Sequence, residues 1–190
     1  MKEEYVVNLL GKGQGWEKIN DITDGEVWGV NDAFLRTKCD KCFHMHNLDV
    51  FGKTEKTASS TRIIVERMKK EKDMEFFTIE EYKPIPNAKI YPLDDIINYF
   101  KSNYFSSTID YMLAYAIYKG ATKIRLIGVN MSVMNEEYYS QKPSAEYWIG
   151  LAEGRGIEVE LNYTNSSLMK TKDGLLYGYL TNQWKVDKEN

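Results

Sequence analysis

Short runs of β-branched and aromatic residues alternate with helical periods along most of the chain, and this alternation sets the order of the elements. Tyr5-Val6-Val7-Asn8-Leu9-Leu10 is an apolar run that stops at Gly11, the pattern of a strand buried on both faces. Glu26-Val27-Trp28-Gly29-Val30 predicts a second strand and Lys41-Cys42-Phe43-His44-Met45-His46 a third. Over residues 59–73, Ile63, Ile64 and Met68 share one side of a charged helix, while Arg62, Arg67, Lys69, Lys70 and Lys72 solvate the other. Glu75-Phe76-Phe77-Thr78-Ile79 follows as a strand.

The clearest helical period covers residues 107–119. Ile109, Met112, Leu113, Ala116 and Ile117 recur at helical spacing, Ser107 and Asp110 have capping-box spacing, and Gly120 sits where a C-terminal cap belongs. Lys123 to Val129 predicts a strand, Pro143-Ser144 opens a helix carrying Tyr147, Trp148, Leu151 and Ala152, and Ile157 to Leu161 predicts a last strand. Strands interleaved with helices predict an α/β fold, a three-layer Rossmann-like sandwich with a mostly parallel sheet of about six strands. The sequence divides into one nucleotide-binding domain over residues 1–172 and a tail over 173–190, whose Leu175-Leu176-Tyr177-Gly178-Tyr179-Leu180 reads as an edge strand or an oligomer contact.

Composition narrows the class. Hydrophobic residues make up 43% and charged residues 28% of 190 residues with 4 prolines, which excludes a disordered or collagen-like chain. A net charge of -3 argues against a basic face that wraps nucleic acid. The sequence holds no long apolar run of membrane-spanning length and no signal-peptide pattern, so a cytoplasmic protein is expected. In that reducing setting Cys39 and Cys42 stay thiols. The surplus is aromatic, with 14 tyrosines and 4 tryptophans available for packing and for stacking on planar ligands.

Candidate chemistry begins at the end of the first strand. Gly11-Lys12-Gly13-Gln14-Gly15 lets a strand turn sharply and lets phosphate or ribose approach backbone N–H groups without meeting a Cβ. Trp16 stands where the dinucleotide fingerprint needs its third glycine, and the run is not a Walker A loop. Asn31 and Asp32 follow the second strand, where side-chain acceptors read ribose or a base edge in open α/β sheets. His46, at the end of the third strand, faces the same crevice as a candidate general acid or base. Cys39, Cys42, His44 and His46 invite a zinc reading, but in an extended strand at about 3.3 Å per residue Cys42 and His46 lie about 13 Å apart, too far to share one ion. No metal site is therefore expected, and magnesium is a possibility without sequence support. Gly128-Val129-Asn130-Met131-Ser132 leaves another strand at the same edge, followed by a stretch dense in tyrosine and carboxylate that contains Tyr138, Tyr139 and Glu146. Tyr139 is a candidate phosphate ligand and Glu146 a candidate base, the alternative being that Glu146 simply complements a helix dipole.

The glycine turn, the strand ending in Val30-Asn31, Ser106-Ser107-Thr108 at the start of an apolar helix, and the strand ending in Gly128-Val129-Asn130 together resemble the Rossmann-like core of family-42 sialyltransferases, motility-associated-factor glycosyltransferases and pterin diphosphokinase-like proteins. The stretch over residues 143–157 also resembles small phage-encoded proteins. The sialyltransferase resemblance implies that Gly11, Gly13, Asn31, Ser107 and Asn130 line a nucleotide or nucleotide-sugar site. Gln14 and Gly15 replace the Pro and Ser of that family's turn, and Asn130 replaces its Asp. The family's catalytic histidine has no counterpart, because no histidine follows His46. The resemblance thus implies a glycosyltransferase-like nucleotide-binding protein, with a non-catalytic nucleotide-sequestering or host-interaction protein as the rival, and diphosphokinase and class I methyltransferase as lesser alternatives. A chain this short has no room for an acceptor domain, so a homo-oligomer is expected.

Overall fold

The computed structural model describes residues 3–47, 55–131, 136–161, 166–171 and 178, without the side chains of 55–61 and 136–138. The proposed tail strand and Ser132 lie outside these residues, apart from Gly178. Among the described residues seven parallel strands form one sheet: β1 (Val6–Leu10), β2 (Glu26–Val30), β3 (Lys41–His44), β4 (Glu75–Thr78), β5 (Ala88–Ile90), β6 (Lys123–Ile127) and β7 (Glu158–Glu160). Their spatial order is β5-β4-β3-β2-β1-β6-β7. The chain works outward from β1 in one direction, then crosses to β1's other side for β6 and β7. The direction of strand addition thus reverses between β1 and β6, and the C-terminal strand ends at such a switch are where open α/β sheets bind ligands.

Among the described residues four α-helices join the strands: α1 (Glu55–Met68), α2 (Leu93–Phe100), α3 (Thr108–Tyr118) and α4 (Glu136–Gly154). Alternate side chains divide the sheet into two apolar faces. Val7, Leu9, Trp28, Phe43, Phe77, Ile124 and Leu126 pack beneath α2, α3 and α4. Leu10, Cys42, Phe76 and Ile127 face α1 and two short 3-10 helices, Trp16–Asp21 and Ala33–Leu35. This is the expected three-layer Rossmann-like α/β sandwich, with one strand more than the sequence pattern indicated.

The differences have local causes. β5 is three residues long, and its Lys89 and Ile90 are exposed, so it carries no alternating signal. Residues 93–100 present only one buried position, Ile96, too little period to stand out. α4 starts at Glu136 rather than at Pro143, which lies inside it. Proline in a helix interior removes one backbone hydrogen bond but does not forbid the helix when both halves are packed. α3 follows the expectation closely: Ser107 is its N-cap, with a reciprocal capping box to Asp110, and Gly120 closes it at φ 82°.

Candidate functional site

The glycine turn leaves β1 by lying directly on the exit of β6. Gly11 N–H donates to the Ile127 carbonyl and Gly13 N–H to the Gly128 carbonyl, both at 2.8 Å. A Cβ on Gly11 would collide with the Gly128 carbonyl oxygen and stand 3.0 Å from Val129 Cγ2. One on Gly13 would stand 2.8 Å from the same oxygen and 3.0 Å from the Asn130 side chain. Gly128, at φ 64°, has Trp16 Cβ 2.9 Å from where its own Cβ would be. These glycines are required by the close approach of two loops. The Gly11 and Gly13 amides are both engaged at the exit of β6. Gly15, at φ 86°, opens a six-residue 3-10 helix, and Lys12 and Gln14 lie exposed on the turn.

Beside the turn, Asn31 ends β2 in the left-handed region at φ 51°. Two bonds from β3 hold it there. Its N–H donates to the Phe43 carbonyl at 2.8 Å, and its carbonyl accepts the Cys42 thiol at 2.9 Å. Asn31 Oδ1 is buried without a hydrogen-bond partner among the described residues. A buried acceptor left unpaired costs about 1–3 kcal/mol unless a water or a ligand supplies the donor. Next to it, Asp32 lies 2.6 Å from Lys12 Nζ, bridging the ends of β1 and β2. Arg36 Nη1 donates to the Lys12 carbonyl at 3.0 Å, and its guanidinium sits 5.2 Å from the Trp16 ring centroid.

At the end of β3, His44 is buried and His46 exposed, their rings meeting edge-on at 5.5 Å between centroids. Burial pushes the His44 imidazole down to about 4; His46 and Lys12 push it the same way, and Asp32 opposes. His44 is therefore neutral at pH 7, within the electrostatic reach of the Lys12–Asp32 pair. Burial raises the Cys39 thiol to about 12 and raises Cys42 as well, which makes both poor nucleophiles. Among the described residues no cluster of three or more His, Cys, Asp or Glu side chains can hold a metal ion.

After β6, Asn130 lies against Gly13, and its carbonyl accepts both Ser166 Oγ and Ser167 N–H at 3.1 Å. Ser167 Oγ donates to the Met131 carbonyl at 2.6 Å. The segment after β7 thus returns across the end of β6 and braces it. Glu146 belongs to the same brace: its Oε1 accepts the Met169 N–H at 2.7 Å, and Lys142 Nζ is 3.5 Å away. Tyr139, in the first turns of α4, is 76% exposed. Ser107 is occupied in capping α3, where its Oγ accepts the Asp110 N–H at 3.4 Å. Asp110 is fully buried, and its Oδ2 accepts from Ser106 N–H, Ser107 N–H and Ser144 Oγ at 2.7–2.8 Å. Burial raises its carboxyl above the ordinary range against these hydrogen bonds.

Of the residues expected from sequence, the structure gathers Gly11 to Gly15, Asn31, Asp32 and Asn130 at the ends of β1, β2 and β6, with His46 one strand further. Ser107 and Glu146 hold helices in place at the same sheet edge. Sequence reading passed over Arg36 and the Ser166–Met169 brace, and weighed Cys42 and His44 only as metal ligands. Arg36 alone left a trace, as a cation soon after the Asn31-Asp32 pair.

No family model matches the chain, and no curated protein matches it. Among solved structures it is similar to the sialyltransferase CstII from Campylobacter jejuni in complex with cytidine-5'-monophosphate, with a TM-score of 0.51 at 16% identity over 82% of this chain and 78% of that one. It is also similar to CstII in complex with CMP-3FNeuAc, with a TM-score of 0.53 at 15% identity over 90% of this chain and 97% of that one. At such identity the likeness concerns the fold. Among the described residues no helix is long and apolar enough to cross a membrane.

Proposed function

We propose that this protein binds a nucleotide or nucleotide-sugar at the C-terminal ends of β1, β2 and β6 and acts as a glycosyltransferase-like enzyme. The observation that carries the reading is Asn31, held in a left-handed turn with a buried Oδ1 that has no partner among the described residues, beside the topological switch of the sheet. An exocyclic amine or a ribose hydroxyl would satisfy that acceptor. Support for a sugar donor comes from the fold shared with a sialyltransferase that has been solved with CMP and with CMP-3FNeuAc. Asn130 would contact the ligand from the β6 side, and Tyr139 would cover it from α4. No metal takes part in this scheme.

For the chemical step, His46 is the group we assign as general base. It is exposed at the strand ends, and the neutral ring of His44 behind it carries no competing charge at pH 7. Deprotonation of an acceptor hydroxyl by His46 would let that oxygen attack the anomeric carbon as the donor's glycosidic bond to phosphate breaks. Glu146 suits this role less well, because its carboxylate is engaged with Met169 and Lys142. The rival reading, a protein that sequesters a nucleotide without transforming it, draws on the absence of any histidine after His46.

Incubation with a panel of nucleotide-sugars, followed by chromatography, separates the two. Release of free nucleotide that disappears in His46→Gln supports transfer or hydrolysis at this site. Tight binding with the donor recovered intact supports sequestration.

A further inference from the structure

We infer that the outer face of α4 docks against the same face of a second copy of this chain, the two helices lying antiparallel about a twofold axis at Tyr147. The inference is independent of the nucleotide site. An outer helix of a layered fold ordinarily turns charged residues to solvent, opposite its buried stripe. In α4 the buried stripe is Ser144, Ala145, Trp148, Ile149 and Ala152, and the opposite face is Tyr139, Pro143, Tyr147, Gly150 and Gly154, all exposed. Those five recur at i, i+4, i+8, i+11 and i+15, which is one line along a helix. No charged residue lies on it.

Two features of this line have no use within the fold itself. Glycine is a poor helix former, yet Gly150 and Gly154 both belong to α4 with nothing within 4 Å of either missing Cβ. Tyr147 is 40% exposed, and its ring meets that of Tyr104, itself 43% exposed, with centroids 5.7 Å apart. Trp148 Nε1 donates to the Tyr104 carbonyl at 2.8 Å, which fixes this second tyrosine beside the helix. Large rings next to notches without side chains are the knobs and holes of a helix pair. Tyrosine is also a residue type enriched at protein interfaces.

The face fits itself in one antiparallel register. With Tyr147 beside its own counterpart at the axis, Pro143 stands over the notch between Gly150 and Gly154 of the second copy, and each Gly154 receives Tyr139 and Pro143 of the other. The helices then lie about 8–10 Å apart, a spacing that admits a methyl group at either glycine but no long side chain. Lys142, Glu146 and Glu153 share one flank of α4, and in an antiparallel pair a flank meets the same flank of the other helix. This register sets Lys142 against Glu153 of the second copy, twice by symmetry. Lys142 Nζ is 3.5 Å from Glu146 in its own helix, a partly exposed pair worth little, so turning to Glu153 costs little. The charge match and the fit of ring to glycine together select a second copy as the occupant. A line of about 23 Å is a single-helix contact, smaller than the standard interface of about 800 Å² per partner, so a reversible dimer with Kd in the micromolar range is expected.

Sedimentation velocity on the full chain from about 1 to 200 μM tests this in wild type, Gly154→Gln, Lys142→Glu, Glu153→Lys and the double charge exchange, with far-UV circular dichroism to confirm folding. Wild type is expected to show a monomer-dimer equilibrium. Gly154→Gln fills the notch while improving local helix propensity, and is expected to weaken the dimer about tenfold or more. Each single charge exchange is expected to weaken it about threefold or more, and the double exchange to return it to within about twofold of wild type. A monomer at every concentration, a dimer indifferent to Gly154→Gln, or a double exchange no better than the singles overturns the inference. A wild-type monomer whose residues 172–190 become open to protease only in Gly154→Gln also overturns it, and assigns the face to that tail.

Discussion

Replacing Gly11 by alanine tests the packing of the loop after β1 on the loop after β6. The added methyl group would collide with the Gly128 carbonyl oxygen and lie 2.9 Å from the Gly128 carbonyl carbon. Neither is a flexible side-chain end, so the loops after β1 and β6 must part. Overpacking of this kind costs about 1–3 kcal/mol. Parting the loops also weakens the Gly11–Ile127 and Gly13–Gly128 hydrogen bonds, each worth about 1 kcal/mol net. Against this, the stiffer unfolded chain returns about 0.4–1 kcal/mol. The balance is a loss of about 2–3 kcal/mol, or a fall in Tm of roughly 5–10 °C for a domain of this size. Gly150→Ala is the matched control, because that glycine lies within α4 with nothing within 4 Å of its missing Cβ. There the same substitution should stabilise by about 0.5–1 kcal/mol through helix propensity. Urea denaturation of wild type and both variants measures the contrast. A Gly11→Ala protein as stable as wild type, or one whose loss Gly150→Ala shares, would refute the claim that these loops are in contact through glycine backbones.

Other expectations follow from buried polar groups. His44 has its folded pKa lowered to about 4, so its contribution to stability is present above the unfolded value near 6.5 and is lost as pH falls toward 4. That amounts to at most about 3 kcal/mol, and a His44→Gln variant should show a flatter stability profile between pH 7 and 4 in thermal melts. Asp110 has the opposite sign: its raised folded pKa gives a contribution present below about 3.9 and lost as pH rises through the folded value. Asp110→Asn should therefore keep or raise stability at pH 7, whereas Asp110→Ala, which strips the donors at Ser106, Ser107 and Ser144, should cost about 2 kcal/mol. Cys42→Ser keeps a donor to the Asn31 carbonyl and should bind nucleotide like wild type in calorimetry. Cys42→Ala removes that donor and should weaken binding by about threefold to tenfold while stability falls by only about 1–2 kcal/mol.

The fold was legible where local pattern and tertiary role agree. The run from Tyr5 to Leu10 reads as buried because β1 is central and covered on both faces, and α3 reads as a helix because its apolar face, cap and terminal glycine all point the same way. β5 and α2 lie at the sheet margin, where few positions are buried and the pattern carries little information. The site was legible as positions and not as uses. A glycine turn after a first strand looks the same whether its amides meet phosphate or a neighbouring loop, and only the contact with Gly128 decides between them. Arg36, Cys42 and the Ser166–Met169 brace owe their places to folding in three dimensions. No spacing rule connects Arg36 to Lys12 or Met169 to Glu146.

Nucleotide binding at the C-terminal ends of β1, β2 and β6 can be tested against a second site in the same molecule. A distinct cavity of about 290 Å³ lies at the opposite strand ends, lined by Phe34, Lys38, Cys39, Arg67 and Met74 among others, and it supplies the contrast. An amide-resolved NMR titration with cytidine-5'-monophosphate compares the two directly. The predicted result is saturable shifts at Lys12, Gly13, Asn31 and Asn130. Shifts confined to Lys38, Arg67 and Met74, or none at any amide, would contradict it.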